Sequence, residues 1–332
     1  MPYADIIGEH ESIVQLRELV GKVARSKAGT ILIYGETGAG KGLVARALHA
    51  QSSRARRNFT EINCAAIPGA LMESELFGHE RGAFTGAVQR KEGLLEIATG
   101  GTVFLDEIRE LDPVTQAKIL TLLDTRRFRR VGSVQELSTD ARFIAATNKI
   151  LLGEVRAGRF RDDLYYRLQV VSINIPPLRE RGDDVFVLAD NMLRKFNALH
   201  GSRFTELAPE VKNVFRRYRW PGNVRELSNL LERICILEEG HRITLQHLPP
   251  RILREAAAHD AVSIMPSPPG TPAPVAGEDK SYAGLTARFQ RTLIEQALQQ
   301  HDGNLGQTAA ALGLSRHALR HQMLRLGMTG RS

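Results

Sequence analysis

Residues 30–48 read TILIYGETGAGKGLVARAL. A β-type run, Thr30–Tyr34, leads into Gly35-Glu36-Thr37-Gly38-Ala39-Gly40-Lys41, and a segment with helical apolar spacing follows. This G-x-x-x-x-G-K pattern constrains the fold more than anything else in the chain. Between a strand and a helix it is a P-loop, whose glycines let backbone N–H groups converge on a polyphosphate. The helix that follows adds its positive N-terminal end. Lys41 is placed to reach the β- and γ-phosphates. A glycine-rich turn with an exposed lysine is the blander reading, and the flanking strand and helix weigh against it. The residue after the lysine is ordinarily Ser or Thr, whose hydroxyl ligates magnesium. Here it is Gly42, so a magnesium ion would depend more on carboxylates and water.

A supply of carboxylates lies downstream. GGTVFLDE, Gly100–Glu107, is an apolar run ending in two acids, the Walker B pattern. Asp106 suits the metal ion and Glu107 suits a general base that orients water. Two acids capping the next helix is the alternative. Around these motifs, short apolar runs at Thr30–Tyr34, Phe59–Asn63, Thr102–Leu105, Arg142–Ala146 and Val170–Ile175 alternate with helical patterns. That alternation predicts a parallel sheet with helices on both faces, an α/β fold. After Ile175 strand patterns stop at Pro176-Pro177. Helical stretches follow near Asp184–Leu199, Pro209–Tyr218, Val224–Glu239 and Leu245–Glu255, predicting a small all-helical subdomain. Asn223 with Glu226 three residues on reads as an N-cap and capping-box partner. Val224, Leu227, Leu230, Leu231 and Ile234 then make one apolar face, with Arg225 off it. Trp220, the single tryptophan, reads as a packing residue.

Composition changes once. Ala256–Lys280 holds five of the fourteen prolines and keeps no helical or strand period, so it reads as a linker. The expected organisation is therefore residues 1–175 (nucleotide-binding α/β), 176–255 (helical lid), 256–280 (linker) and 281–332. In that last piece six arginines face two acids. LGQTAAAL (Leu305–Leu312), Gly313-Leu314-Ser315 and RHALRHQMLRL (Arg316–Leu326) give helix, turn and basic helix, the helix-turn-helix layout. Ser315 would cap the second helix. Arg316, His317, Arg320 and His321 lie where base and phosphate contacts are made, and Ala310, Leu314, Leu319 and Leu324 supply core contacts. A small dimerisation unit is the alternative. Over the whole chain 45 Lys plus Arg outnumber 37 Asp plus Glu, a net charge of +8 that suits an anionic partner. Two cysteines, Cys64 and Cys235, make no disulfide framework or metal cluster. No apolar run approaches the ~18 residues of a membrane helix, and the first residues lack a secretory signal pattern, so a cytoplasmic location is expected.

Between the P-loop and the Walker B acids stands ELFGHERGAFTGA, Glu75–Ala87. A Phe between glycines is hard to bury, so Gly82-Ala83-Phe84-Thr85-Gly86-Ala87 reads as a loop tip that presents an apolar contact. A tight hairpin with Phe84 folded back is the alternative. This segment resembles the GAFTGA loop of bacterial enhancer-binding proteins, the AAA+ activators of sigma-54 RNA polymerase. NCAAIP (Asn63–Pro68), RRVG (Arg129–Gly132), AATN (Ala145–Asn148), FRDDLYYRL (Phe160–Leu168), PPLRER (Pro176–Arg181) and WPGNVREL (Trp220–Leu227) extend the resemblance from about Ile7 to Leu253. The C-terminal piece resembles the Fis-type domain that ends members of this family.

The resemblance implies an ATPase with ATP and Mg2+ that remodels the closed polymerase complex through Gly82–Ala87 and binds enhancer DNA. It implies that Asn63 holds Glu107 in a nucleotide-dependent switch and that Thr147 and Asn148 form a first sensor of the γ-phosphate. By the same resemblance Arg225 is a second sensor and Ile6, Ile7 and Gly8 line the adenine. Arg161 and Arg167 match arginine fingers reaching a neighbour's ATP, which implies a ring, usually a hexamer assembled from resting dimers. Pairing of Arg161 with Asp162 or Asp163 is the local alternative for that charged segment. The family usually carries Glu after the P-loop lysine, so Gly42 departs from its pattern too. The AAA+ resemblance begins within ten residues of Met1. Such short architecture resembles the phage-shock and hypersensitive-response activators, so a trans-acting regulatory protein is the expected controller.

Overall fold

TILIY, TVFLD and RFIAAT have too little polar surface to face water on either side, so each needs helices above and below it. In the computed structural model they are the inner strands of a five-stranded parallel sheet. The structure describes residues 6–264 throughout, and beyond them residues 291, 294, 295, 297, 298, 301, 304–311, 319, 323 and 328. The chain divides into two compact units, Met1–Met265 and Pro266–Ser332.

Strands of the α/β part, in chain order, are β1 (Thr30–Tyr34), β2 (Phe59–Asn63), β3 (Gly78–His79), β4 (Lys91–Glu92), β5 (Thr102–Asp106), β6 (Arg127–Arg129), β7 (Glu136–Ser138), β8 (Arg142–Thr147) and β9 (Ser172–Asn174). Its helices are α1 (Glu11–Arg25), α2 (Lys41–Ala50), α3 (Gly69–Phe77), α4 (Leu94–Ile97), α5 (Pro113–Thr125), α6 (Leu151–Arg156) and α7 (Asp162–Leu168). The sheet runs β2-β5-β8-β1-β9, every pair parallel. Register pairs Tyr34 with Thr147 and Asn63 with Asp106, so the carboxyl ends of the strands line up along one edge. In open α/β sheets that edge is where ligands bind. Successive side chains of β1 enter opposite cores: Ile31 and Ile33 pack with Val20, Val44 and Leu48, while Leu32 packs with Phe77, Val103 and Phe143.

Beyond the sheet lie α8 (Asp184–His200), β10 (Glu206–Leu207), α9 (Pro209–Arg217), α10 (Asn223–Leu237), β11 (Arg242–Ile243) and α11 (Pro250–Ile264). Phe196, Phe204, Phe215, Trp220, Leu227, Leu231 and Ile234 form a separate core there. Full burial of each such side chain stabilises by ~1.5–3 kcal/mol. Trp220 packs as expected, edge-on to Phe215 and Tyr218, with its indole N–H donating to the Phe215 carbonyl at 2.9 Å.

Three expectations for this part need correction. It is not purely helical, because β10 and β11 pair in parallel with Leu207 and Ile243 turned into the core. The last helix does not stop at Glu255. Residues 245–247 form a 3-10 turn, and α11 runs from Pro250 to Ile264, into the segment read as linker from Ala256. Ala256 packs in the core, its alanine neighbours favour helix, and no proline intervenes before Pro266. Asn223 is not an N-cap through its side chain: Gly222 caps α10, and Glu226 reaches back to the Gly222 N–H at 2.9 Å.

Of the C-terminal unit, the described residues include a helix over Leu305–Ala311, entered by Asn304, whose side-chain oxygen accepts from the N–H groups of Gly306 and Gln307. Ile294, Ala309, Leu319 and Met323 are buried together. Leu319 matches the expected core. The side chains of Ala310, Leu314 and Leu324 lie outside the described set, as do Ser315, Arg316, His317, Arg320 and His321. Among the described residues no helix is long and apolar enough to cross a membrane.

Candidate functional site

The P-loop turns back at the end of β1 and enters α2 at Lys41. Gly38 adopts φ +76°, and a Cβ there would stand 2.1 Å from the Gly222 carbonyl oxygen. Only glycine satisfies both conditions. The loop is thereby pressed against the start of α10, and the Arg225 N–H donates to the Gly38 carbonyl at 3.3 Å. Lys41 is 7% exposed; its ammonium sits 3.1 Å from the Gly35 carbonyl oxygen and 3.1 Å from Glu107 Oε1.

Asp106 ends β5, and its Oδ1 accepts the Glu107 N–H at 3.1 Å. Burial pushes the Asp106 carboxyl up and Glu107 adds to the rise, with Lys41 and Arg225 opposing. Glu107 occupies the left-handed region, φ 52° and ψ 51°, a conformation that costs a non-glycine residue ~1–3 kcal/mol and clusters at functional sites. Its Oε2 accepts the Asn148 N–H at 3.3 Å. Asn148 also donates through Nδ2 to Thr37 Oγ1 at 3.2 Å. Its Oδ1 is buried without a protein partner. Thr147 is fully buried, and its carbonyl accepts from the Gly35 N–H at 3.2 Å.

Asn63 stands beside Asp106 in register, but its Oδ1 accepts the Ala65 N–H at 3.0 Å. The structure therefore brings Asn63 to the correct edge without bonding it to Glu107. Arg161 makes a two-pronged pair with Asp163, at 3.0 and 2.7 Å. Arg167 pairs with Asp124 at 2.9 Å and donates to the Leu123 carbonyl. Both guanidinium groups are thus engaged at the surface of their own chain.

Ile7 packs on the lid core. Gly8, at φ +149°, runs so close to α8 that a Cβ would meet Asp184 Oδ2 at 2.4 Å. Buried Asp184 accepts the Glu9 and His10 N–H groups, and Arg181 donates to the Ile7 carbonyl at 2.8 Å. Arg225 is exposed at the mouth of a cleft of about 690 Å³ that Thr37, Gly222, Asn229, Arg233 and Arg251 also line. A cavity of about 930 Å³ lies elsewhere, between α3, α5 and the β6–β7 hairpin, and no P-loop residue lines it.

Sequence reasoning missed the clasp between the P-loop and the lid, giving Arg179 no role and reading Asn223 as an N-cap. Arg179 donates to Glu36 through Nη1 and Nη2 at 2.8 and 2.7 Å, which holds the Glu36 carboxyl below the usual carboxylate range. Asn223 is fully buried; it accepts the Leu178 N–H and donates to Glu36 and the Thr37 carbonyl. Both residues stand in quoted motifs, PPLRER and WPGNVREL, yet nothing in residue type or spacing says which loop they grip.

Gly82–Ala87 forms the tip of the β3–β4 hairpin. The Gly82 N–H donates to the Ala87 carbonyl at 2.8 Å, and Gly82 and Gly86 take φ +80° and +103°. Thr85 is exposed and Ala87 is buried. Phe84 rests edge-on against His79, ring centroids 5.0 Å apart, yet keeps 39% of its surface exposed. It is neither free-standing nor folded away.

Comparison with known proteins agrees with this arrangement. Residues 6–174 match the sigma-54 interaction domain, 179–264 the AAA+ ATPase lid domain, and 286–326 the Fis family of bacterial regulatory proteins. The regulatory protein AtoC of Escherichia coli is 39% identical over 326 residues, 98% of this chain and 68% of AtoC. LuxO of Vibrio cholerae is 43% identical over 94% of this chain and 67% of its own length. The nitrogen fixation protein AnfA of Azotobacter vinelandii is 42% identical over 99% of this chain, which spans 58% of AnfA. Crystal structures of NtrX from Brucella abortus with ADP and with ATP superpose with TM-scores of 0.69 and 0.68, at 32% and 33% identity. They cover 98% and 97% of this chain and 69% of NtrX in each case. With a sigma-54 interaction domain, a AAA+ lid and a Fis-type helix-turn-helix in one chain, the protein belongs to the sigma-54-dependent AAA+ transcription activators.

Proposed function

We propose that this ATPase binds ATP with Mg2+ along the carboxyl edge of the sheet and hydrolyses it with Glu107 as base. The bound ATP drives the Gly82–Ala87 loop against sigma-54, while the C-terminal unit holds enhancer DNA. The observation that carries the reading is the meeting of Lys41 and Glu107 at 3.1 Å beside Asp106. It sets the phosphate-binding cation, the candidate base and the metal-seeking carboxylate at one loop. Glu36, Thr37, Gly38, Ala39 and Gly40 supply backbone N–H groups, Asp106 holds the cation, and Ile7 and Gly8 line the base. Mg2+ supplies neutralisation of charge on the phosphates. The unpartnered Asn148 Oδ1 and the buried Asp106 carboxyl suit a hydrated cation. Glu107 accepts the proton of the attacking water, Thr147 and Asn148 register the γ-phosphate, and Arg225 closes the lid over it. Asn63 becomes the partner of Glu107 in one nucleotide state by giving up its bond to Ala65.

Assembly is a ring in which Arg161 and Arg167 leave their own acids for a neighbour's nucleotide. Ser315, Arg316, His317, Arg320 and His321 carry DNA contacts, supported by the Fis match over 286–326. The protein acts in the cytoplasm, where polymerase and DNA are. Lys41→Ala should abolish ATP binding in a titration with a fluorescent nucleotide, and Glu107→Gln should bind ATP but turn it over slowly. Normal hydrolysis by both variants would contradict the site.

A further inference from the structure

Arg109 follows the Walker B acids on the 3-10 turn Ile108–Glu110, and neither motif nor family resemblance assigns it a task. Its side chain is 23% exposed, with Nη2 anchored on Glu110 Oε1 at 2.6 Å. Its Nε is buried and has no hydrogen-bond partner. A guanidinium N–H left unpaired away from water is uncommon and unfavourable. Glu107 Oε2 stands 3.8 Å from Nε.

Glu107 is therefore flanked by two cations. Lys41 holds Oε1 at 3.1 Å, and Arg109 stands outside hydrogen-bond range of Oε2. One ammonium cannot serve two anions equally. When polyphosphate claims Lys41, as P-loop chemistry requires, Oε1 loses its cation and the Asn148 N–H remains as the partner of Oε2. Arg109 needs to close by less than ~1 Å to make a charge-assisted hydrogen bond. Its planar fork keeps Nη2 on Glu110 while Nε turns to Glu107, a division of labour that lysine's point charge cannot reproduce.

We propose that Arg109 is a positioning residue of the hydrolysis centre: it takes over the Glu107 carboxylate as Lys41 turns to the phosphates and keeps it aimed at the attacking water. The inference rests on Glu107 being the base. A general base must be held in a narrow geometry, and small misplacements are expensive in rate.

The test is steady-state ATP hydrolysis by the full chain carrying Arg109→Lys, Arg109→Gln or Arg109→Ala, each also made in a Glu107→Gln background. ADP affinity equal to wild type identifies the correctly folded variants. Arg109→Gln and Arg109→Ala should lower kcat by roughly ten- to a hundredfold with KM for ATP within about twofold. Arg109→Lys should recover part of the loss. In the Glu107→Gln background the Arg109 substitutions should add nothing, since the group they position is gone. Unchanged kcat in Arg109→Gln would overturn the inference. So would a raised KM with kcat intact, or a full additive loss in the double variant. Near-normal turnover by Glu107→Gln alone would instead overturn the base assignment, whatever Arg109 does.

Discussion

Gly42 departs from both the general P-loop and the family pattern, and its surroundings say what the departure costs. It is the second residue of α2, and a Cβ there would meet Glu61 Oε1 and Phe104 Cε1 at 3.8 Å, ordinary contact distances. Glycine in a helix is worse than alanine by up to ~1 kcal/mol. Gly42→Ala should therefore raise stability by a few tenths to about 1 kcal/mol, read as a higher urea midpoint with unchanged slope; a lower midpoint would show that the site has no room. Residue identity in the nucleotide site was legible because backbone demands fix residue type: φ +76° at Gly38 and the press of Gly8 on Asp184 both exclude a side chain. Partners of long polar side chains were not legible. Asn223 looked like a cap and is a clasp. Arg109 drew no reading from the sequence, yet its buried, unpaired Nε stands beside Glu107.

The strongly apolar inner strands β1, β5 and β8 were readable nearly to the residue, since burial on both faces leaves a continuous apolar run; the edge strand β2, FTEIN, is only partly buried. The hairpins β3–β4 and β6–β7 and the β10–β11 pair were not, because strands of two or three residues carry no period. A local cap opens α5, at a helix start that the sequence reading did not single out. Asp112 enters α5 with Pro113 next, and its carboxylate accepts the Val114 and Thr115 N–H groups at 2.9 and 3.0 Å and the Thr115 hydroxyl at 2.6 Å. Burial pushes this carboxyl up, but the bonds from Thr115 and Val114 outweigh it, and the folded-state pKa lies below the ordinary value. A depressed carboxylate stabilises the fold above its unfolded pKa of about 4 and loses that contribution as pH falls through the folded value. Asp112→Ala should accordingly cost ~1 kcal/mol at neutral pH. The gap between variant and wild type should narrow below about pH 4, and urea midpoints at the two pH values check it. An undiminished gap in acid would mean the cost comes from packing.

In the proposed ring, the arginines of FRDDLYYR decide whether one chain can act alone. Arg161 and Arg167 are bound to Asp163 and Asp124 through half-exposed pairs, and such pairs are worth only ~0–1 kcal/mol. A neighbour's triphosphate can win them at little cost. Arg161→Ala and Arg167→Ala should bind ATP yet hydrolyse it poorly; arginine fingers elsewhere contribute roughly 10³–10⁵ in rate. Mixing Arg167→Ala with Lys41→Ala subunits should restore part of the activity, because some interfaces then combine a sound P-loop with a sound finger. No recovery in any mixture, with assembly intact, would place the arginines in their own subunit's chemistry.

In the proposed function, nucleotide chemistry reaches transcription through the Gly82–Ala87 tip. Phe84 and Thr85, both exposed, carry most of the side-chain bulk there, and neither lies in the P-loop or among the Walker B acids. The direct measurement is complex formation with purified sigma-54 in the presence of a transition-state analogue of ATP, for wild type and for Thr85→Ala. Wild type should form the complex, and Thr85→Ala should fail while still hydrolysing ATP and binding DNA. Failure of wild type in every nucleotide state, or a stable complex with Thr85→Ala, would contradict the account.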